Sequence, residues 1–220
     1  MIQHAEQPLS EQLDHFVLEK VSWNTYQHIW KALEGRHVFA TYHKGRLELM
    51  VTSFMHESSK KLIARLLEQM SMELNIPMFG VGSVTCQNKD LELGFESDEC
   101  YFVRNQPAGV TRLKRPLDLR CDAPPDLAIE VEITHRVIER EKIYAEAGVK
   151  ELWRYDGENL RFFHLGRAGF RRRPRSKHFP FLRPENLEVF LRREGDQTQH
   201  EIVRAFQTWV RQNLAEFHED

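Results

Sequence analysis

The chain has 220 residues, with 31 Lys+Arg against 33 Asp+Glu and a formal net charge of −2. That length suits one domain with a sizeable core, and 41% hydrophobic with 29% charged residues excludes a disordered or fibrous chain. The near balance of charge excludes coating of nucleic acid or membranes by bulk electrostatics.

Residues 1–20 are polar and predict an N-terminal arm, followed by a single domain over 21–220. The start has no apolar core, so no secretory signal is expected, and the longest apolar run, Cys100-Tyr101-Phe102-Val103, is far too short to span a bilayer. Ser22 can cap a short helix whose Tyr26, Ile29, Trp30 and Leu33 share a face, with Gly35 ending it. Residues 37–43 and 46–51, joined at Lys44-Gly45, predict an N-terminal β-hairpin. Residues 57–74 carry Leu62, Ile63, Leu66, Leu67, Met70 and Leu74 at the helical period, and Pro77 follows their end. Strands are expected over 81–87, 91–95 and 99–103, then an irregular connection over 105–122. Residues 126–133 are apolar at alternate positions and predict a strand. Residues 137–147 predict a helix with Gly148 at its end, and 151–155 with 160–165 a hairpin around Asp156-Gly157. From about Gln199, Ile202, Val203, Phe206, Trp209, Val210, Leu214 and Phe217 form the apolar stripe of a C-terminal helix. The order gives a mixed α/β (α+β) fold with a central sheet flanked by helices.

Familiar catalytic signatures are absent. Gly80-Val81-Gly82-Ser83 lacks the further residues of a phosphate loop, and His56-Glu57-Ser58-Ser59-Lys60 has Lys where a zinc-protease helix needs its second His. Ser83 has no nucleophile elbow. Cys86, Cys100 and Cys121 are odd in number and widely spaced, which predicts reduced thiols in a cytoplasmic protein. What remains is a set of carboxylates. Asp98 precedes the strand beginning at Glu99, and Glu130 lies inside an apolar strand with Glu132 on the same face. Two acids on an apolar face are costly to bury unless a cation neutralises them, and hard oxygen donors suit Mg²⁺ or Mn²⁺. The competing reading is an edge strand whose acids are solvated.

The order of the parts resembles the PD-(D/E)XK nuclease superfamily, and more closely its Uma-two branch of restriction-endonuclease-like bacterial proteins. The resemblance is carried by Gly45-Arg46-Leu47-Glu48 with His56-Glu57, by Glu96-Ser97-Asp98-Glu99-Cys100, and by Pro124-Pro125-Asp126-Leu127-Ala128-Ile129-Glu130-Val131. It continues in Ile143-Tyr144-Ala145-Glu146-Ala147-Gly148-Val149-Lys150-Glu151-Leu152-Trp153-Arg154-Tyr155, Phe179-Pro180-Phe181-Leu182 and Trp209-Val210-Arg211. It implies a restriction-endonuclease-like mixed sheet flanked by helices and a metal-dependent DNA endonuclease. Asp98 and Glu130 would be the metal-binding acids, with Glu132 beside them, Glu48 the supporting acid and Mg²⁺ or Mn²⁺ the cofactor. DNA is the implied partner, a homodimer the implied assembly, and no membrane is involved.

Two positions depart from the branch. Ser97 replaces its usual Pro, and Arg140 stands where its helical Lys is expected, with Lys142 two residues on. Two helical residues are about 200° apart, so Arg140 and Lys142 cannot both face one site. Arg140 as an electrostatic clamp, Lys142 through a shifted helix, and a weakened site that leaves a non-catalytic nucleic-acid-binding or assembly module are the alternatives. A separate signal lies in residues 161–183, where Arg161, Arg167, Arg171, Arg172, Arg173, Arg175, Lys177 and Arg183 occur with no Asp or Glu. Phenylalanines are interleaved with them. Such a strip can neutralise DNA phosphates; the alternative is a solvated hairpin with its phenylalanines in the core.

Overall fold

The computed structural model describes residues 15–104, 107, 116–133, 137–192 and 196–213. His15–Leu18 (β1) is already a strand, so the end of the expected arm is part of a sheet. Trp23–Ala32 (α1) starts where Ser22 accepts the Thr25 N–H at 3.1 Å. Phe39–His43 (β2) and Arg46–Met50 (β3) pair across Lys44 and Gly45, whose φ angles of 47° and 86° are those of a primed two-residue hairpin turn. Phe54–Glu73 (α2) begins three residues earlier than its apolar period suggests because Ser53 caps it, accepting the His56 N–H at 3.2 Å.

The strand expected over 81–87 is two strands, Met78–Gly82 (β4) and Thr85–Asn88 (β5). The register shifts between Gly80 and Gly82, and Gly82 takes φ 63°, a conformation glycine adopts without strain, so the chain leaves one sheet and enters another. Leu93–Glu96 (β6), Glu99–Val103 (β7), the short Leu117–Asp118 (β8) and Leu127–Val131 (β9) follow. Arg140–Ala147 (α3) ends at Gly148, left-handed as expected. Glu151–Tyr155 (β10), Leu160–Gly166 (β11) and Gly169–Arg173 (β12) form a meander. Pro184–Leu191 (α4), which has no clear signal in the sequence, and Gln199–Gln212 (α5) complete the chain. Leu214 and Phe217 of the C-terminal stripe lie outside the described residues.

The mixed α/β class holds, but among the described residues the strands divide into two six-stranded sheets, ordered β1-β3-β2-β6-β5-β8 and β12-β11-β10-β9-β7-β4. In the second sheet β9 and β10 are parallel and the other pairs antiparallel. Its strands alternate between two faces. Leu127, Ile129, Val131, Trp153 and Phe162 pack with α2, α4 and α5 in the larger core cluster. Ala128, Leu152 and Cys100 pack with α3 and with Cys86, Leu93 and Phe95 of the first sheet. The second face is therefore enclosed between α3 and the other sheet, and the acids sit there. Among the described residues no helix is long and apolar enough to cross a membrane.

Candidate active site

Glu130 shares the α3 face of β9 with Ala128. Because β9 lies between β7 and β10, all five of its residues are buried and Glu130 is 0% exposed. The solvated edge-strand reading of Glu130 is thereby overturned. Arg140, the first residue of α3, meets its carboxylate side-on: Nη2 lies 2.6 Å from Oε1 and Nε 3.2 Å from Oε2. The Tyr144 hydroxyl, one turn along α3, donates to the same Oε1. The guanidinium makes further hydrogen bonds. Nη1 donates to Thr41 Oγ1 at 2.8 Å, and Nη2 to the Glu96 carbonyl and, at 3.3 Å, to the Tyr144 hydroxyl. The Phe95 and Tyr144 rings lie 5.5 and 5.2 Å from Arg140 Cζ. Burial works against the guanidinium charge, but Glu130, Tyr144 and Asp98 together outweigh it and raise the Arg140 pKa further. Burial, and then the Glu130 charge, push the Tyr144 hydroxyl well above its ordinary value.

Asp98 joins β6 to β7 one residue beyond the Glu99–Ile129 pair, which places it opposite Glu130 on the neighbouring strand. Fully buried, it accepts the Val131 N–H at 2.7 Å, and the same oxygen is 3.1 Å from His56 Nε2. Ser97, at the position of the branch's Pro, donates its N–H to the Val84 carbonyl and accepts from Cys100 Sγ at 2.9 Å. A proline has no N–H to give there. Glu48, 2% exposed on β3, accepts the N–H groups of Val137 at 2.7 Å and Ile138 at 3.4 Å. It pins the chain entering α3 and stands opposite Thr41, the partner of Arg140.

Glu48, Asp98, Glu130 and Arg140 are thus brought together from β3, the β6–β7 link, β9 and α3. Glu132 and Lys142 are not. Glu132 pairs with Arg154, whose Nε is 3.1 Å away and which also bonds Glu141. Lys142 points outward and pairs with Glu139 at 2.8 Å. Of the other contributors, Thr41 has no signal in the sequence, and His56 and Tyr144 stand in the segments that carry the resemblance with no role assigned to them. Tyr144, one turn beyond Arg140, is the one that helical spacing could have found.

A divalent cation does not fit the donors in this arrangement. Both Glu130 oxygens face Arg140, and one of them also receives the Tyr144 hydroxyl. Among the described residues no three His, Cys, Asp or Glu side chains are grouped so as to hold a metal ion.

A cleft of about 380 Å³ borders the centre and is lined in part by Trp30, Arg36, Ser83, Thr85 and Glu96. Ser83 Oγ donates to the Asp98 carbonyl at 3.0 Å, and the Glu96 carbonyl is the one Arg140 uses. Burial raises the Glu96 pKa against hydrogen bonds from Trp30 and Thr85 that lower it.

The basic strip maps to the β11–β12 hairpin at the edge of the second sheet. Arg171, Arg172, Arg173, Arg175 and Lys177 are exposed, Arg167 lies at the hairpin tip, and Arg161 pairs with Asp156 at 2.7 Å. Phe162 and Phe179 are buried, Phe181 packs against the larger cluster, and Phe163 and Phe170 pack against the smaller. The phenylalanines belong to the core, and the exposed part of the strip is its cations. Register places Arg172 on the same sheet face as Glu130 and Arg171 and Arg173 on the other.

Acids facing each other from adjacent strands of a mixed sheet, with a basic residue on the following helix, are the arrangement of restriction-endonuclease-like α/β proteins. The chain belongs to the Uma2 family, described as "Putative restriction endonuclease", whose model matches residues 23–217. Among solved structures it is similar to a "putative nuclease belonging to DUF820" from Anabaena variabilis ATCC 29413, at TM-score 0.48 and 12% identity, covering 69% of this chain and 90% of that one. No curated protein matches it significantly.

Proposed function

We propose that this protein is a nuclease that hydrolyses phosphodiester bonds of DNA at the Asp98–Glu130 centre. The observation that supports it best is the convergence of Asp98, Glu130 and Arg140, each at most 2% exposed, beside an open polar cleft. Burying two carboxylates and a guanidinium is a costly way to build a core, and such groupings are characteristic of functional sites. Arg140 is a fixed positive charge suited to a phosphate that gains charge in the transition state, and it cannot serve as a base. DNA would approach over the cleft, with Arg172 on the same sheet face to neutralise its backbone. The resemblance leads to Mg²⁺ or Mn²⁺ as cofactor, which Glu130 as held by Arg140 and Tyr144 does not accept. A homodimer offering two centres to two strands, and a cytoplasmic location consistent with three free cysteines, belong to the same reading.

One observation favours a second reading, a non-catalytic DNA-binding or assembly module: Arg140 and Tyr144 satisfy Glu130. Plasmid cleavage with Mg²⁺ or Mn²⁺ separates the two. The nuclease reading expects nicking by the wild type and its loss in Asp98→Asn. No cleavage together with retained DNA binding in a mobility-shift assay selects the module, and equal cleavage by wild type and variant assigns the activity to another site.

A further inference from the structure

We infer that Arg140 is the resident counter-ion of the acid centre and excludes a divalent cation from Glu130 while it is docked; this rests on the reading of Asp98 and Glu130 as the centre. A guanidinium that bonds one carboxylate through two nitrogens, at 2.6 and 3.2 Å, supplies the charge that a metal ion would otherwise bring. It also donates from Nη1 to Thr41 and from Nη2 to the Glu96 carbonyl and the Tyr144 hydroxyl. Two aromatic rings flank it. A lysine could not reproduce this. An ammonium is a point charge, without the planar fork that meets both carboxylate oxygens while a third nitrogen reaches Thr41. The exchange of lysine for arginine therefore changes what occupies the centre as well as the basicity of one residue.

The identity of the cation also accounts for the packing around it. Glu48 holds the N–H groups of Val137 and Ile138, which fixes the start of α3 and so the position of Arg140 at its first residue. Asp98 adds a second negative charge that favours the guanidinium. His56, on the far side of Asp98, is held by the first turn of α2. The fixed start of α3 and the Asp98 charge thus both favour an internal cation, and a divalent ion would have to displace Arg140 from both Glu130 oxygens before it could bind there.

The test is Mn²⁺ binding to the full chain, followed by thermal unfolding and calorimetric titration, because a ligand that binds only the folded state raises Tm by mass action. The wild type is expected to show a Tm independent of millimolar Mn²⁺. Arg140→Gln is expected to bind Mn²⁺ at least tenfold more tightly and to gain Tm with it, and Arg140→Gln/Glu130→Gln to lose that gain. Equal Mn²⁺ affinity in the wild type and a folded Arg140→Gln overturns the inference. If Arg140→Gln does not fold, the wild type decides: the Arg140 Nε–H resonance is expected to persist unchanged through a Mg²⁺ titration, and its displacement overturns the inference. Plasmid cleavage is read separately. A wild type that binds no cation at Glu130 and cleaves no DNA sinks the nuclease reading and leaves this inference standing, whereas one that binds Mn²⁺ there and cleaves does the reverse.

Discussion

Replacing Glu130 by Gln keeps the side-chain shape and removes the charge that neutralises Arg140. The guanidinium, 2% exposed, then stays buried without the carboxylate it bonds, with Asp98 the remaining nearby acid. Breaking one side of a buried ion pair costs about 3–5 kcal/mol, because the stranded charge keeps its desolvation penalty. For a chain of this length each kcal/mol moves Tm by about 2–4 °C, so a loss of roughly 6–20 °C is expected. Adding Arg140→Met removes the stranded charge. It also removes the donors to Thr41 Oγ1 and the Glu96 carbonyl, so recovery is incomplete. The expected result is a double variant less damaged than the sum of the two single variants by about 2 kcal/mol or more, the signature of direct coupling. Urea unfolding followed by circular dichroism measures all four members of the cycle. A cost near 1 kcal/mol for Glu130→Gln, or simple additivity in the double variant, would refute the buried ion pair as the organising contact of the centre.

Three further outcomes test other parts of the structure. Burial first, then the nearby Lys177 and Arg173, hold the His164 pKa below its ordinary value, against the Glu151 carboxylate 3.9 Å away and the Arg175 carbonyl. The unfolded chain therefore takes up this proton first, so stability is expected to fall as pH drops below about 6.5, and His164→Gln to flatten that slope in unfolding measured from pH 7.5 to 5.5. Burial raises the Glu96 pKa, so its contribution is present at low pH and lost as pH rises through the folded-state value. Glu96→Gln is accordingly expected to raise Tm at pH 7 and to narrow the difference between pH 4 and pH 7; a lower Tm at pH 7 would contradict the assignment. Replacing Arg171, Arg172 and Arg173 together by Ala is expected to reduce the slope of log K for duplex DNA against log salt by up to about 2.7 if all three meet phosphate, and an unchanged slope places DNA elsewhere.

How much of this was legible in the sequence depended on how far each signal reached along the chain. The turn at Lys44-Gly45, the stripe of α2 and the end of α3 at Gly148 are local, and each could be read from a few residues. The division into two sheets could not, because periodicity assigns a strand but not its neighbour. The switch depends on the backbone of Gly82, in a stretch that reads as one continuous strand. The acids are legible through resemblance, and whether Glu130 is buried depends on whether β9 is an edge strand. What decided that was β10, which lies some twenty residues later and pairs parallel to β9 with Arg154 opposite Glu130.

Arg140 and Lys142 present a sharper case. Helical geometry requires a choice between them, and the phase is set by Tyr144, one turn beyond Arg140 and sharing Glu130 with it. The two charges then take opposite fates by position alone: Arg140 is sealed against Glu130, and Lys142, two residues on, pairs with Glu139 in solvent. The near-neutral net charge with which the chain presents itself thus hides a local neutralisation. One guanidinium answers the acid that an apolar strand could not otherwise have carried into the interior, and the sequence departs from its branch at the residue that supplies it.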